Sequence, residues 1–441
     1  MAKIAPQDVI PTIRKHLIGD GFEFVVDMKK SQGSEIIDAI TGRALLDFYS
    51  CFASNPIGFN HPKMKEEAFL DKLMWCAVHN ITNSDLFSEY KAEFVDYFWK
   101  TAAPKQMKYM FMIAGGGLGI ENALKASFDW KYQINRQQGD TRGTGTKVMH
   151  LTGAFHGRTG YTMSLTNTDP VKTERFPQFN WPRIDAPWVA FPDQGKAHED
   201  LLKREAKALE QAKAHIATDS HDIAAFIMEP IQGEGGDNHF RAEFMRAMQS
   251  LCHENDIMFI LDEVQTGVGM TGKMWAYEHY GIEPDMLVFG KKMQVCGFLC
   301  SDRIDSIEKH VFNSSGRINS TWGGTLVDMV RAQRYLEIIH EDNLLENAEK
   351  TGAVLLKELE GLVKAHKELL SNPRGKGLMC AFDVKTQEQR NKLRNACYDE
   401  GLLVLNCGHN TIRFRPALNL TPEEAKKGVA LVDEAISVIP A

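Results

Sequence analysis

Two ionisable side chains follow short apolar segments and could perform chemistry away from bulk water. Lys291 comes after the apolar segment Met286–Phe289, and Asp262 comes directly after Met258–Leu261. Burial lowers the pKa of an amine, so a lysine at the end of a buried strand can form a Schiff base with a carbonyl compound. A carboxylate at such a strand end could keep a ring nitrogen protonated, with a helix cap or a metal ligand as the alternatives. Lys292 competes with Lys291 for the role of nucleophile.

A run of glycines offers a site for an anion. Residues 115–119, Gly-Gly-Gly-Leu-Gly, lie between the strand pattern Tyr109–Ile113 and the helical pattern Ile120–Tyr132. Free backbone amides at a helix N-terminus bind phosphate, which makes Gly116 and Gly117 candidates, and a tight structural turn is the alternative. A dinucleotide fingerprint needs glycine where isoleucine stands at the start of the helical pattern, and no Gly-Lys-Ser/Thr follows the loop. Both nucleotide motifs are therefore incomplete.

Aromatic and charged side chains follow other strand patterns. Phe155 could stack on a planar ring and Arg158 could hold a carboxylate through two hydrogen bonds, although a core Phe and a surface Arg are equally compatible. His156 between them is interpreted as structural. Glu234 lies in a glycine-rich loop and could pair with an arginine, with a solvated turn residue as the alternative. Arg413 and the arginine two residues later would lie on one face of a strand, where surface display is the alternative.

Composition restricts the class of protein. The 441 residues, 43% hydrophobic and 25% charged, are typical of a globular chain longer than one domain. The net charge of −7 comes without a basic tract, so nucleic acid is not an expected partner. Residues 1–11 lack a signal-peptide pattern and no apolar run approaches about 20 residues, which favours a cytoplasmic protein without a membrane segment. The eight cysteines are dispersed, so we expect reduced thiols and no metal site.

Strand and helix patterns alternate through the middle of the chain. This order predicts an α/β fold with a mainly parallel sheet, and ligands in such sheets bind beyond the carboxyl ends of the strands. After residue 325 the pattern changes to a long helix over Val327–Val363, strand patterns at Leu378–Val384 and Leu402–Leu405, and a terminal helix after Pro422. The predicted organisation is an N-terminal segment over residues 1–60 that joins a small domain, a large domain over 61–325 and the small C-terminal domain over 326–441.

Six motifs between Gly42 and Pro416 together resemble the class III (ornithine/4-aminobutyrate type) aminotransferases. The resemblance implies the PLP-dependent transferase fold type I, in which a large domain holds pyridoxal 5'-phosphate (PLP) and the N- and C-terminal segments build a smaller α+β domain. It also implies a homodimer with active sites at the subunit interface. The motifs are Asn-Pro-Ile-Gly-Phe-Asn-His-Pro at 55–62, Phe-His-Gly-Arg at 155–158, Glu-Pro-Ile-Gln-Gly-Glu-Gly-Gly at 229–236, Leu-Asp-Glu-Val-Gln-Thr-Gly at 261–267, Lys291 six places after Asp285, and Ser-Thr-Trp-Gly-Gly at 320–324.

The resemblance implies a role for each matching residue. The catalytic residues of this chain would be Lys291, which holds PLP, and Asp262, which pairs with the ring nitrogen. The other cofactor contacts would be Gln265 at the phenolic oxygen, Phe155 and Val264 on the two ring faces, Gly116 and Gly117 at the phosphate, and Thr321, which reaches the phosphate from the other subunit. The substrate contacts would be Arg158, Glu234, Asn319 and Arg413. Because the phosphate loop lacks the family's hydroxyl side chains, backbone amides would have to bind the phosphate.

Two segments, 289–297 and 317–324, are most similar to the branch of the family that acts on the ε-amino group of L-lysine. That similarity implies transfer of the amine to 2-oxoglutarate, giving 2-aminoadipate 6-semialdehyde and L-glutamate. Arg158 would hold the α-carboxylate of lysine, Arg413 that of glutamate, and Glu234 would cover Arg413 while lysine reacts. A 4-aminobutyrate or ornithine aminotransferase stays open, and a nicotinamide-dependent oxidoreductase or a non-catalytic relative is a more remote alternative.

Overall fold

A computed structural model describes residues 4–439 of the chain. Residues 1–3 and 440–441, which belong to the predicted terminal segments, lie outside the described residues. Within residues 4–439 the strands are β1 (Glu35–Ile37), β2 (Ala44–Asp47), β3 (Met107–Ile113), β4 (Lys147–Leu151), β5 (Arg183–Ile184), β6 (Ile223–Met228), β7 (Ile231–Gln232), β8 (Asn238–His239), β9 (Met258–Asp262), β10 (Met286–Phe289), β11 (Cys296–Ser301), β12 (Leu370–Lys376), β13 (Met379–Val384), β14 (Leu402–Leu403), β15 (Leu405–Cys407) and β16 (Thr411–Phe414).

Most of the other regular elements are helices. In the described part of the chain they are α1 (Pro6–Arg14), α2 (Ser50–Ala53), α3 (Glu67–Val78), α4 (Glu89–Thr101), α5 (Gly116–Gln137), α6 (Thr162–Leu165), α7 (Lys196–Asp219), α8 (Ala242–Glu254), α9 (Leu326–Glu341), α10 (Leu344–Ala365), α11 (Gln387–Asp399) and α12 (Pro422–Ala435). The segment α2 is a single turn whose four residues all have positive φ, so it is left-handed. Short 3₁₀ turns include Pro170–Lys172 and Lys291–Met293.

A seven-stranded sheet forms the centre of the fold, in the order β3-β11-β10-β9-β6-β4-β5. The five strands from β10 to β5 are parallel, whereas β11 runs antiparallel to both of its neighbours. The prediction of a mainly parallel sheet is therefore confirmed. The strand β3 that leads to the glycine run is an edge strand with an antiparallel neighbour, which is not the topology of a dinucleotide-binding βαβ unit.

Apolar packing covers both faces of this sheet. The strands β6, β9 and β10 are buried along their whole length, which explains why they are continuous apolar runs rather than alternating patterns. Phe226 and Phe259 pack into one hydrophobic cluster, and Ile227 and Ile260, which follow them in the chain, pack into a second. The two clusters hold the sheet rigid, so the residues at its carboxyl ends have fixed positions.

Two smaller sheets combine the ends of the chain. The antiparallel sheet β12-β13-β16-β15 comes from the C-terminal part, and β14 joins β1 and β2 in a three-stranded sheet that links the N- and C-terminal segments. This arrangement is the smaller α+β unit expected for fold type I. The domain boundaries after residues 60 and 325 stay a prediction.

Two sequence expectations in the C-terminal part are wrong in detail. The long helix predicted over Val327–Val363 is two helices, α9 and α10. Asn343 lies between them with φ 53° and ψ 40°, a left-handed conformation that interrupts the helix. Asn tolerates this left-handed conformation better than other residues with a side chain do. The single strand pattern Leu402–Leu405 is also two strands, β14 and β15, which belong to different sheets. None of the helices described over residues 4–439 is long and apolar enough to cross a membrane.

The two glycines of α10 give a matched test of the packing between this helix and the small sheet. A Cβ at Gly352 would lie 2.1 Å from the carbonyl oxygen of Gly377 in the turn between β12 and β13, whereas a Cβ at Gly361 would meet nothing within 4 Å. Gly352→Ala should cost about 1–3 kcal/mol through overpacking. Gly361→Ala should stabilise the protein by about 0.5–1 kcal/mol, because alanine loses less backbone entropy in a helix.

Apparent thermal midpoints of the two variants and the parent protein check this prediction. A Gly352→Ala variant as stable as the Gly361→Ala variant would contradict the close approach of α10 to that turn.

Candidate active site

The carboxyl ends of the central strands and the start of α5 surround one cavity of about 190 Å³. Eight of the residues selected from the sequence line it, although they come from five separate segments of the chain. The lining residues are Gly116, Gly117, Ile120, Phe155, His156, Gly157, Glu229, Glu234, Asp262, Val264, Gln265 and Lys291. The fold therefore brings a lysine, three carboxylates and a helix N-terminus into one pocket.

Lys291 is the lysine that faces this cavity. Among the described residues its amine has no hydrogen-bond or ion-pair partner, and burial lowers its pKa against the opposing effect of Asp262. Its φ of 48° lies in the left-handed region, a strained conformation that is common at functional sites. Lys292 points away and donates to the carbonyl oxygens of Gln265 at 2.7 Å and Ala53 at 3.4 Å. The geometry thus favours Lys291 over Lys292 as the nucleophile.

Asp262 is held by groups on both of its oxygens. Its Oδ1 accepts a hydrogen bond from the backbone amide of Val264 at 3.0 Å, and its Oδ2 lies 2.8 Å from His156 Nδ1. An ionised carboxylate can only accept, so we assign the proton of this bond to His156 Nδ1. The His156 ring is fully buried, and its Nε2 has no partner among the described residues. His156 therefore orients the carboxylate rather than filling space.

The glycine run begins α5 and leaves amides free. Gly115 precedes the helix with φ 108°, and no side chain caps the helix N-terminus. The first amides of an uncapped helix have no intrahelical acceptor and can bind an anion. A Cβ at Gly116 would lie 3.0 Å from Val264 Cγ1, and one at Gly119 would lie 3.0 Å from the carbonyl oxygen of Gly297. Glycines thus let the helix approach both the cavity wall and the sheet.

The aromatic and aliphatic walls of the cavity belong to Phe155 and Val264. The amide of Phe155 donates to Glu229 Oε1 at 3.1 Å, and the amide of Gly233 donates to Glu229 Oε2 at 2.9 Å. Burial raises the pKa of Glu229 to about 7. Glu229 therefore joins the loop that carries Phe155 to the loop that carries Glu234.

The two arginines predicted to share a strand face lie on either side of the end of β16, Arg413 within the strand and Arg415 just after it, and their surroundings differ. Both are buried, and both donate to Gln265 Oε1, Arg415 at 3.0 Å and Arg413 at 3.4 Å. Arg415 also forms a fully buried ion pair with Asp237. Arg413 pairs with Glu234, whose Oε2 accepts from Arg413 Nη2 at 2.6 Å, and Arg413 Nε has no partner in the described part of the chain. Arg413 is thus the arginine that still has an N–H donor available for a ligand.

Comparison with known proteins identifies the family of the chain. The model of the family described as Aminotransferase class-III matches residues 20–436. The chain belongs to the class-III aminotransferases. It is therefore an enzyme that uses PLP, as the sequence motifs implied, and the residues of the cavity fit that cofactor: an unpaired amine, an oriented carboxylate and a helix N-terminus without a cap.

Relatives within the family are similar over nearly the whole chain. An L-lysine-epsilon aminotransferase of Streptomyces clavuligerus is 44% identical over 438 residues, covering 98% of this chain and 95% of that protein. A structure of the lysine aminotransferase from M. tuberculosis in the internal aldimine form has a TM-score of 0.96 and 44% identity, covering 99% of this chain and 100% of that one. The mitochondrial 4-aminobutyrate aminotransferase of Sus scrofa is 31% identical over 418 residues, covering 90% and 82%.

Four of the residues selected from the sequence do not line the cavity. Arg413 lies behind Glu234, with which it pairs, and the other three are exposed. Arg158 is exposed and forms no ion pair with any described residue. Asn319 and Thr321 are exposed in a loop that is fixed to the preceding part of the chain, because Asn83 Nδ2 donates to the carbonyl oxygens of Trp322 and Gly324, each at 3.0 Å. A single chain thus leaves these three exposed residues away from the cavity.

Two residues of the site were missed from the sequence. His156 was interpreted as structural, although its place beside Phe155 at a strand end was a signal that it could face the ligand. Lys172, which bonds to Glu234, gave no signal at all because it lies in a polar loop without strand or helix periodicity.

The different partners of the two arginines predict different effects of their removal. Arg415→Met should lower stability by about 3–5 kcal/mol, because it leaves the buried carboxylate of Asp237 without a cation. Arg413→Met should cost clearly less, since Glu234 keeps a second cation in Lys172. Apparent thermal midpoints of the two variants measure the difference, and equal losses would show that Arg413 is also structural.

Proposed function

We propose that this chain transfers the ε-amino group of L-lysine to 2-oxoglutarate, giving 2-aminoadipate 6-semialdehyde and L-glutamate. The observation that carries the proposal is the unpaired amine of Lys291 in the cavity with Asp262, in a chain 44% identical to L-lysine-epsilon aminotransferases. The 4-aminobutyrate aminotransferases are less similar, at 31–32% identity. We infer that the amine substrate is L-lysine rather than the shorter 4-aminobutyrate.

PLP, when bound, supplies an electron sink for the pair released from the breaking C–H bond and carries the amino group between the two substrates. Lys291 would hold it covalently through Nζ, and Asp262 would pair with its ring nitrogen, in an orientation kept by His156. The amides of Gly116 and Gly117 would hold its phosphate. Its ring would lie between Phe155 and Val264, and Gln265 would face its phenolic oxygen.

Lys291 would also move the proton in the central step. Its amine, when not bonded to the cofactor, would take the proton from Cε of lysine. Its lowered pKa supports this role, because a base must be unprotonated to accept. Positioned proton transfer of this kind contributes about 10²–10⁴-fold to the rate.

The substrates differ in charge, and the arginines would distinguish them. Arg158 would hold the α-carboxylate of lysine or the distal carboxylate of 2-oxoglutarate, with Asn319 beside the substrate. Arg413 would take the α-carboxylate of the dicarboxylate. Glu234 would neutralise Arg413 while lysine reacts and release it when the dicarboxylate arrives, which the ion pair at 2.6 Å supports.

The proposal includes a cytoplasmic homodimer. Thr321 is exposed here, and in such a dimer it would complete the phosphate site of the other subunit. Exposed apolar side chains support a partner surface: they include Trp75 (55% exposed), Phe87 (86%) and Trp322 (48%), the last of them next to Thr321.

The experiment that tests the function uses the purified PLP-loaded protein. We expect L-lysine with 2-oxoglutarate to give glutamate and the semialdehyde in its cyclised form, at a kcat/KM at least about ten-fold above those of L-ornithine and 4-aminobutyrate, since pocket length discriminates by about 10–200-fold per methylene. If either of the other amines leads, the cofactor and Lys291 remain and the substrate assignment is wrong.

Replacement of the nucleophile gives a second prediction. Lys291→Ala should lower kcat by about 10²–10⁴-fold or more, because it removes both the covalent anchor and the base. Lys292→Met is the matched control, since it replaces the neighbouring lysine with a side chain of similar length. Borohydride reduction followed by peptide mapping should attach the cofactor to Lys291 in the parent protein and in Lys292→Met. A label on Lys292 would overturn the assignment.

A further inference from the structure

Glu234 has two cationic partners in the structure, one on each oxygen. Arg413 Nη2 donates to Oε2 at 2.6 Å, and Lys172 Nζ donates to Oε1, also at 2.6 Å. The three side chains are 2%, 14% and 28% exposed for Arg413, Lys172 and Glu234, so water screens the two ion pairs only partly. Both cations lower the pKa of Glu234 against the effect of burial, which raises it. The carboxylate is therefore ionised and shared.

Lys172 is held in place independently of Glu234. It is the last residue of the 3₁₀ turn Pro170–Lys172. Asp169 caps this turn, because its side chain accepts a hydrogen bond from the amide of Val171. Lys172 Nζ also donates to Thr168 Oγ1 at 3.1 Å and lies 5.3 Å from the centroid of the Phe155 ring. These contacts do not involve Glu234, and they place the ammonium beside Phe155 at the edge of the cavity.

The net charge of Lys172, Glu234 and Arg413 determines the free-energy cost of exchanging the amine substrate for the dicarboxylate. With Glu234 shared between Lys172 and Arg413, the three groups carry one net positive charge. When Arg413 binds the α-carboxylate of a dicarboxylate, Glu234 must leave it. A partly buried carboxylate without a cation is strongly unfavourable, more so beside an incoming dianion.

We propose that Lys172 is a positioning residue that holds Glu234 whenever Arg413 exchanges Glu234 for the α-carboxylate of the dicarboxylate substrate. Each carboxylate then has its own cation, Glu234 on Lys172 and the substrate on Arg413. The inference rests on the proposed function, since it concerns how one site accepts two substrates of different charge. It assigns Lys172 to the half-reaction of the dicarboxylate and not to that of the amine.

The test measures the two half-reactions separately on the PLP-loaded enzyme, followed by the absorbance of the cofactor. Lys172→Met should raise the half-saturating concentration of 2-oxoglutarate for the aminated enzyme by about ten-fold or more, because loss of one partner of a partly buried charge pair is costly. The reaction of the PLP form with L-lysine should stay within about two-fold of the parent. Lys172→Arg, which keeps the cation, should restore the 2-oxoglutarate reaction, and Lys172→Gln should behave as Lys172→Met does.

Two further variants separate this role from a structural one. Lys147 also pairs with carboxylates, Asp219 at 2.9 Å and Asp222 at 3.6 Å, but lies outside the cavity, so Lys147→Met should change neither half-reaction. In the background of Glu234→Gln there is no side-chain carboxylate to hold, and Lys172→Met should then have less than about a two-fold effect.

The inference is overturned if Lys172→Met impairs both half-reactions equally or impairs neither, or if its effect persists undiminished in Glu234→Gln. A parent enzyme that reacts with L-glutamate and 2-oxoglutarate but not with L-lysine would refute the proposed amine substrate alone. The role of Lys172 would still be tested in that case, because its effect is measured on the dicarboxylate.

Discussion

The Lys291 amine must be buried to be a nucleophile, and the rest of the site serves to keep it there without a permanent partner. Burial lowers the pKa of Lys291, while Asp262 acts in the opposite direction. The hydrogen bonds from His156 and the amide of Val264 hold the Asp262 carboxylate, so it is directed by other groups and does not lock the lysine in an ion pair. The strained backbone at Lys291 is tolerated because the apolar strands on either side fix the end of β10.

A second constraint is electrostatic and concerns two arginines, Arg413 in β16 and Arg415 just after it. Arg415 is committed to Asp237 and supports the fold, whereas the carboxylate that pairs with Arg413, that of Glu234, is shared with Lys172. A cation that must bind a substrate carboxylate has to be neutralised when that carboxylate is absent. The pairing of Arg413 with Glu234 meets this requirement.

The parts of the site that follow from local sequence were predictable. Asp262 ends β9 and Lys291 comes shortly after β10, and a strand buried along its whole length is a local pattern. The partners of these residues were not predictable, because they are joined only by the tertiary fold. His156 and Asp262 lie 106 residues apart, and Arg415 and Asp237 lie 178 apart. Alternation in the sequence could therefore predict that both arginines share one face, but it could not show that only Arg413 lies in β16 or which arginine is structural.

A crystal structure of the protein grown with PLP would show directly which lysine holds the cofactor and where its phosphate binds. We expect electron density joining Lys291 Nζ to the cofactor, with Asp262 within hydrogen-bond distance of the ring nitrogen and the phosphate at the amides of Gly116 and Gly117. Density that joined the cofactor to Lys292, or a phosphate bound away from the start of α5, would contradict this expectation.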